Sequence, residues 1–154
     1  VKKRYPDLDA TVLDLPEVVS EAQRQFPQSD IRFAATDMFR SPLPQDTELF
    51  SLVRVLHDHD DEPILNLLTR LHAALKPGGH LLIAEPMAGT PGAEPIGDTY
   101  FSFYLWAMGS GRPRTAMELK AMCLAAGFSV IREFKTPIPA LTRVLVAEKA
   151  SDTP

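Results

Sequence analysis

Short apolar runs alternate with segments of helical periodicity along this chain, and this alternation limits its fold more than any other feature. A helix is predicted to open with Leu-Pro-Glu at residues 15–17, because proline is favoured in the first turn. Apolar side chains at intervals of four, three and four residues predict an amphipathic helix over 64–75. Strands are predicted over 9–14, 31–35, 49–56 and 80–84. Such alternation is typical of an α/β fold with a mostly parallel sheet.

The last third of the chain predicts another helix followed by two strands. Thr115 and Glu118 have the spacing of a capping box, which would open that helix. Residues 128–134 and 142–148 are predicted strands, and the Pro137-Ile138-Pro139 segment between them is too short for a helical crossover. We therefore expect this pair to be antiparallel, so that the sheet ends with one reversed strand.

Composition excludes several classes of protein. The 154 residues are the length of one ordinary domain, and an apolar content of 45% is enough for a packed core. The net charge is −4 and no basic block follows residues 2–4, so no nucleic-acid surface is expected. Apolar runs such as 81–84 fall far short of the ~20 residues that span a bilayer, although peripheral membrane contact stays open.

The single cysteine bears on the compartment. Cys123 has no partner for an internal disulfide, which fits a reducing, cytoplasmic location. Its helical spacing from Leu119 and Ala126 favours a packing role, since a free cysteine behaves as a small apolar residue.

Four successive predicted strands end in an ionisable residue: Asp14, Asp37, His57 and Glu85. In open α/β sheets, ligands bind beyond the carboxyl ends of the strands. A single carboxylate there is as well explained by helix capping, and a single histidine is more often structural. Four such residues at one edge are harder to explain by capping, and they predict a ligand crevice.

Each of these residues suits a step of nucleotide-dependent chemistry. Asp14 is placed to accept the hydroxyls of a ribose, and Asp37 with Met38 would offer a carboxylate and an apolar surface to an adenine. A histidine that faces a cofactor is a credible general base, because an imidazole titrates near pH 6.5. Glu85 would orient the His57 ring.

Two further segments have more than one interpretation. The acidic and histidine-rich segment 57–62 suggests a metal site, but adjacent residues do not share a face and its last three residues suit a helix start, so no metal is expected. Five aromatic residues lie in the seven positions 100–106. They form either core or dimer surface, or else the wall of an apolar substrate pocket lined by Phe101, Tyr104, Trp106 and Met108.

Five motifs occur in the order and spacing of one known family. They are Asp14-Leu15-Pro16-x-Val18, Asp37-Met38-Phe39, Leu56-His57-Asp58-x-x-Asp61-Glu62, Leu75-Lys76-Pro77-Gly78-Gly79 and Ala126-Gly127-Phe128. In these motifs the chain resembles the S-adenosylmethionine-dependent O-methyltransferases of the plant caffeate and flavonoid type and their bacterial relatives. The segment 57–61 and the aromatic tract look most like the bacterial carotenoid enzymes of the hydroxyneurosporene or demethylspheroidene type.

The resemblance implies a class I, Rossmann-like methyltransferase fold and a role for each site residue. His57 would remove the acceptor's hydroxyl proton beside Glu85, while Asp14, Asp37 and Met38 would hold S-adenosylmethionine. The acceptor would be a small apolar hydroxylated molecule such as a hydroxylated carotenoid, and the full-length protein would be a homodimer. Two positions depart from the family pattern. His59 stands where tryptophan is frequent, and Pro113 replaces an acidic helper, so orientation of the base rests on Glu85.

Residues 1–149 are accordingly expected to be part of a catalytic domain, with 150–154 as a disordered tail. No G-x-G-x-x-G sequence occurs, and the resemblance implies that the first strand and its glycine-rich loop precede residue 1. Two alternatives stay open from the sequence. One is a nicotinamide-dependent Rossmann domain, and the other is a catalytically silent fragment that serves as a folding or dimer partner.

Overall fold

The computed structural model describes residues 2–92, 107 and 109–151, and the chain forms two compact units, Val1–Leu43 and Pro44–Pro154. In chain order the elements are β1 (Thr11–Asp14), α1 (Pro16–Gln25), β2 (Arg32–Ala35), β3 (Thr47–Val53), a 3₁₀ turn (Leu56–Asp58), α2 (Asp61–Ala74), β4 (Leu75–Glu85), α3 (Ala116–Ala125), β5 (Val130–Phe134) and β6 (Arg143–Glu148). No helix among the described residues has the length and apolar character needed to cross a membrane.

The first unit contains a two-stranded parallel sheet, in which Asp14 at the end of β1 lies opposite Ala35 at the end of β2. α1 connects the two strands and starts at Pro16, as the sequence predicts. Val19 is the buried residue of this helix, whereas Val18 is 48% exposed. Within this unit, the apolar face of α1 is therefore covered only in part.

The second unit contains a four-stranded sheet in the order β3-β4-β6-β5. β3 and β4 are parallel, and α2 is the crossover between them. β6 is antiparallel to both β4 and β5, so it is the one reversed strand. The predicted fold class, a mostly parallel α/β sheet with one reversed strand late in the chain, is confirmed.

Two helices supply much of the core of the second unit. α2 contacts β4 and α3, and α3 also contacts β6. Side chains with no exposed surface hold these elements together: Ile64, Leu67, Leu68, Leu81, Ile83, Leu119, Cys123 and Leu145. The predicted capping box is present, since Thr115 Oγ1 accepts a bond from Glu118 N and Glu118 Oε2 accepts one from Thr115 N.

The predicted end of β3 is wrong by three residues. β3 ends at Val53, and Arg54 adopts a left-handed backbone with a φ of 56°, which cannot continue an extended strand. The chain then enters the 3₁₀ turn, so His57 lies in this turn rather than at the strand end.

The predicted start of β4 is also too late. The sequence predicts this strand over 80–84, after a helix over 64–75, yet β4 already begins at Leu75, which pairs with Thr47. On the other side, Gly78 N donates to Lys149 O at 3.1 Å. The pairing with β3 then jumps from Leu75 to His80, and Gly78 has a φ of 72°, so residues 76–79 form an irregularity within the strand.

Candidate active site

His57 lies in the 3₁₀ turn at the start of the loop between β3 and α2, with 6% of its surface exposed. The residues that lead into the turn are held against β4, because Arg54 N donates a hydrogen bond to Ala84 O at 2.9 Å. The His57 ring therefore faces the end of β4. His57 Nδ1 is 3.4 Å from Glu85 Oε2. The structure thus brings together the two residues that the sequence assigns to the base and its orienting carboxylate.

Glu85 is the last residue of β4, and its side chain is fully buried. Oε2 accepts a bond from Leu56 N at 3.1 Å and also faces the His57 ring. Oε1 is buried and has no hydrogen-bond partner in the described part of the chain. A buried carboxylate is costly unless it is compensated, so this group is placed to stabilise positive charge on the imidazole.

Asp58 is a second carboxylate beside the same ring. Its Oδ1 lies 3.4 Å from His57 Nε2, and its side chain is 50% exposed. The sequence resemblance left orientation of the base to Glu85, but it also implied that Asp58 flanks the base and shapes its setting. The imidazole therefore lies between one buried carboxylate on Nδ1 and one hydrated carboxylate on Nε2.

Arg114 bonds the backbone of the His57 turn, and its side chain has no exposed surface. Nη1 donates to Leu56 O and Nη2 donates to His59 O, both at 2.7 Å. Nε donates to Asp61 Oδ1 at 2.8 Å. The sequence analysis did not single out Arg114, because no sequence pattern indicates which distant residues an arginine beside a capping box will bond.

Residues 110 and 111 approach the same turn closely. Ser110 Oγ donates to Asp58 O at 3.3 Å, and Gly111 N donates to Asp60 Oδ1 at 3.0 Å. A Cβ added at Gly111, which has a φ of 83°, would lie 2.3 Å from His57 O. Only glycine fits this approach, so residues 110–114 form a strap over the His57 turn.

Asp61, at the start of α2, balances the positive charges of Arg112 and Arg114 in this strap. Arg112 pairs with Asp61 at 2.9 Å and with Glu118 at 2.8 Å. Hydrogen bonds from Arg112 and then from Arg114 hold the pKa of Asp61 below its ordinary value. The Asp61 carboxylate is consequently ionised at neutral pH and compensates the buried guanidinium of Arg114.

In the first unit, Asp14 and Asp37 follow two neighbouring parallel strands. Asp14 Oδ1 accepts from Leu15 N at 2.8 Å, and Thr36 N donates to Asp14 O at 2.7 Å. Asp37 Oδ1 accepts from Phe39 N at 2.9 Å, which fixes a tight turn after β2. Both carboxylates therefore lie at the carboxyl edge of this sheet, as predicted.

The remaining predicted residues differ in how far the structure describes them. Met38 is half-buried in the turn after β2, beside Asp37. The predicted pocket residues Phe101, Tyr104, Trp106 and Met108 lie outside the described residues. Within the described ranges, no group of three or more histidine, cysteine, aspartate or glutamate side chains is placed to hold a metal ion.

Comparison with known proteins decides the family. A family model described as O-methyltransferase domain matches residues 1–129. The chain belongs to this family. The membership confirms the predicted resemblance to the O-methyltransferases.

Curated relatives include two bacterial demethylspheroidene O-methyltransferases. The enzyme of Rhodobacter capsulatus is 44% identical over 149 residues, which are 97% of this chain and 37% of that protein. The enzyme of Cereibacter sphaeroides is 37% identical over 158 residues, covering 100% of this chain and 42% of that protein. The chain therefore spans less than half the length of these relatives.

Among solved structures, human N-acetylserotonin methyltransferase in complex with S-adenosylmethionine matches with a TM-score of 0.87 and 31% identity. The match covers 97% of this chain and 43% of the human chain. The human methyltransferase has the fold that the sequence predicted for this chain. The similarity extends over nearly all residues of the chain.

Proposed function

We propose that the protein transfers a methyl group from S-adenosylmethionine to a hydroxyl group of an apolar acceptor, and that the acceptor is a hydroxylated carotenoid. Family membership supports the reaction, and the demethylspheroidene enzymes among the relatives support the acceptor class. The observation that carries the proposal is the buried pair of His57 and Glu85. A histidine in this setting suits removal of a hydroxyl proton.

The carboxylates of the first unit fit the cofactor. Asp14 uses Oδ1 for Leu15 N, which leaves Oδ2 for the ribose hydroxyls. Asp37 and Met38 would hold the adenine through a carboxylate and a half-buried thioether. When bound, S-adenosylmethionine supplies a methyl group on a positively charged sulfur.

His57 would act as the base through Nε2. A neutral imidazole has one N–H, and the buried Glu85 needs a donor more than Asp58 does, since water reaches Asp58. We therefore assign the proton to Nδ1, which leaves the Nε2 lone pair for the acceptor's hydroxyl proton. Once Nε2 takes that proton, Glu85 and Asp58 stabilise the imidazolium. Such proton removal is worth about 10²–10⁴-fold in rate, on top of correct positioning of the reactants.

The domain bounds, the cellular location, the assembly and the membrane contact of the protein are also proposals. We take residues 1–149 as part of a catalytic domain and 150–154 as a tail. The single cysteine supports a cytoplasmic location, and burial raises the pKa of its thiol to about 12. Assembly as a homodimer and peripheral contact with a membrane follow only from the resemblance and from the apolar acceptor.

Methyl transfer from labelled S-adenosylmethionine to a hydroxylated carotenoid tests this function, with calorimetry to measure cofactor binding. We expect His57→Ala to lower turnover by about 10²–10⁴-fold while the dissociation constant of S-adenosylmethionine changes less than about threefold. His80→Ala is the matched control, because His80 lies five residues before Glu85 on the same strand and its side chain is 45% exposed.

Unchanged turnover in His57→Ala would remove the base assignment. Cofactor binding without methyl transfer to any hydroxylated acceptor by the unsubstituted protein would instead favour the silent partner.

A further inference from the structure

Arg114 is a buried charge with an unusual set of partners. Its guanidinium bonds two backbone carbonyls and one carboxylate, and no part of the side chain is exposed. Burying a charge is costly unless it is paired with an opposite charge and hydrogen-bonded with good geometry. Three short bonds of 2.7–2.8 Å meet that condition, so the side chain holds its partners in fixed positions.

The two carbonyls lie on either side of His57. Leu56 O precedes the histidine by one residue, and His59 O follows it by two. Leu56 also donates its N–H to Glu85 Oε2. The peptide groups around the base are thus bonded to Arg114 on one side and to Glu85 on the other.

The backbone of Arg114 is bonded to the segment that follows Glu85. Ala88 N donates to Arg114 O at 3.0 Å, and Ala88 forms a parallel bridge with Thr115. Arg114 therefore connects the turn that carries the base to the chain just beyond the orienting carboxylate. A shift of Arg114 would change the distance between His57 Nδ1 and Glu85 Oε2.

We propose that Arg114, with the close approach of Gly111 behind the turn, is a positioning residue for His57. It sets the 3₁₀ turn so that Nδ1 meets Glu85 and Nε2 is presented to the acceptor hydroxyl. This inference rests on the proposed role of His57 as base. It assigns this function to Arg114 and Gly111 alone, and in it Arg114 acts through His57 and touches neither the acceptor nor the cofactor.

Lysine does not replace arginine at this position. A guanidinium has five N–H donors in a rigid plane, which serve three acceptors that lie in different directions. An ammonium group is a point on a flexible stem and cannot reach Leu56 O, His59 O and Asp61 Oδ1 together. Arg114→Lys therefore keeps the positive charge beside Asp61 and removes the fixed geometry.

The test measures kcat and the dissociation constant of S-adenosylmethionine for Arg114→Lys and Arg112→Lys, each alone and combined with His57→Ala. Arg112 is the matched control, since it pairs with Asp61 and Glu118 at the edge of the same strap. We expect Arg114→Lys to lower kcat about 10- to 100-fold with cofactor affinity within about threefold. Arg112→Lys should leave kcat within about twofold.

The combination with His57→Ala separates positioning from general destabilisation. If Arg114 acts through the base, Arg114→Lys should lower the residual kcat of His57→Ala less than about twofold. An equal loss in both backgrounds would overturn the inference while leaving the proposed function intact. Unchanged turnover in His57→Ala alone would overturn both.

A second pair of variants covers the case in which Arg114→Lys does not fold. Gly109 and Gly111 share a φ of 83°, but an added Cβ meets nothing within 4 Å at Gly109 and lies 2.3 Å from His57 O at Gly111. Gly111→Ala should lower kcat about 10- to 100-fold, whereas Gly109→Ala should lower it less than about threefold. Equal kcat values for the two alanine variants would contradict the inference.

Discussion

The His57 turn of the second unit and the Asp14 strand end of the first unit differ in the kind of contact that holds them. His57 is buried, and its turn is bonded by Glu85 and Arg114, which lie far along the chain. Asp14 bonds its own neighbour Leu15, and Asp37 bonds Phe39 two residues later. The second unit thus builds the base from distant residues, whereas the first unit shapes its carboxylates through local turns.

The same contrast appears in the apolar packing of the two units. Among the described residues of the first unit, the buried apolar side chains are Val19 and Leu43. Six other large hydrophobic residues of that unit are 40% to 59% exposed: Tyr5, Leu8, Val12, Leu15, Val18 and Phe26. In the second unit, side chains such as Leu68, Ile83 and Leu145 have no exposed surface. The difference teaches that a well-packed apolar core supports the His57 site, whereas few buried apolar side chains support Asp14 and Asp37 in the first unit.

The largest expected effect comes from removing core atoms. Leu68→Ala should lower the free energy of unfolding by about 2–5 kcal/mol, because it leaves a cavity among fully buried side chains. Val18→Ala, at a position 48% exposed, should lower it by less than about 0.5 kcal/mol. Urea unfolding followed by circular dichroism measures both values. Equal losses would show that the two units are packed alike.

A smaller effect is expected at the helix starts. Thr115 caps α3 with its hydroxyl, so Thr115→Ala should lower the free energy of unfolding by about 1 kcal/mol. Leu15 is the N-cap residue of α1 and provides no side-chain cap, so Leu15→Ser should raise the free energy of unfolding by about 0.5 kcal/mol. The same urea titration checks both signs. A loss of stability in Leu15→Ser would mean that the exposed Leu15 side chain stabilises the first unit by packing.

Local patterns were sufficient to predict most of the fold. The 4-3-4 spacing of residues 64–75 gave α2, and the Thr115–Glu118 spacing gave the start of α3. The short connector at 137–139 gave the antiparallel pair β5 and β6. These features depend on interactions between residues close in sequence, which a pattern records directly.

Features that depend on distant partners were not predicted. β4 starts early because residues of β3 and the chain after β6 bond its first residues. His57 lies in a 3₁₀ turn because Arg54 is left-handed, and nothing in that residue type favours such a backbone. Arg114 reaches the base from more than fifty residues away, so the two residues are brought together only by the fold.

The central claim is that this chain holds His57 with Nδ1 toward Glu85 and Nε2 ready to accept a proton. Long-range ¹H–¹⁵N spectra of histidine-labelled protein report which ring nitrogen carries the proton, a property that heavy-atom positions do not observe. His57→Ala assigns the signal by its disappearance. At a pH where the ring is neutral, we expect a protonated Nδ1 and a bare Nε2 without any added ligand. A protonated Nε2 with a bare Nδ1 would contradict the account.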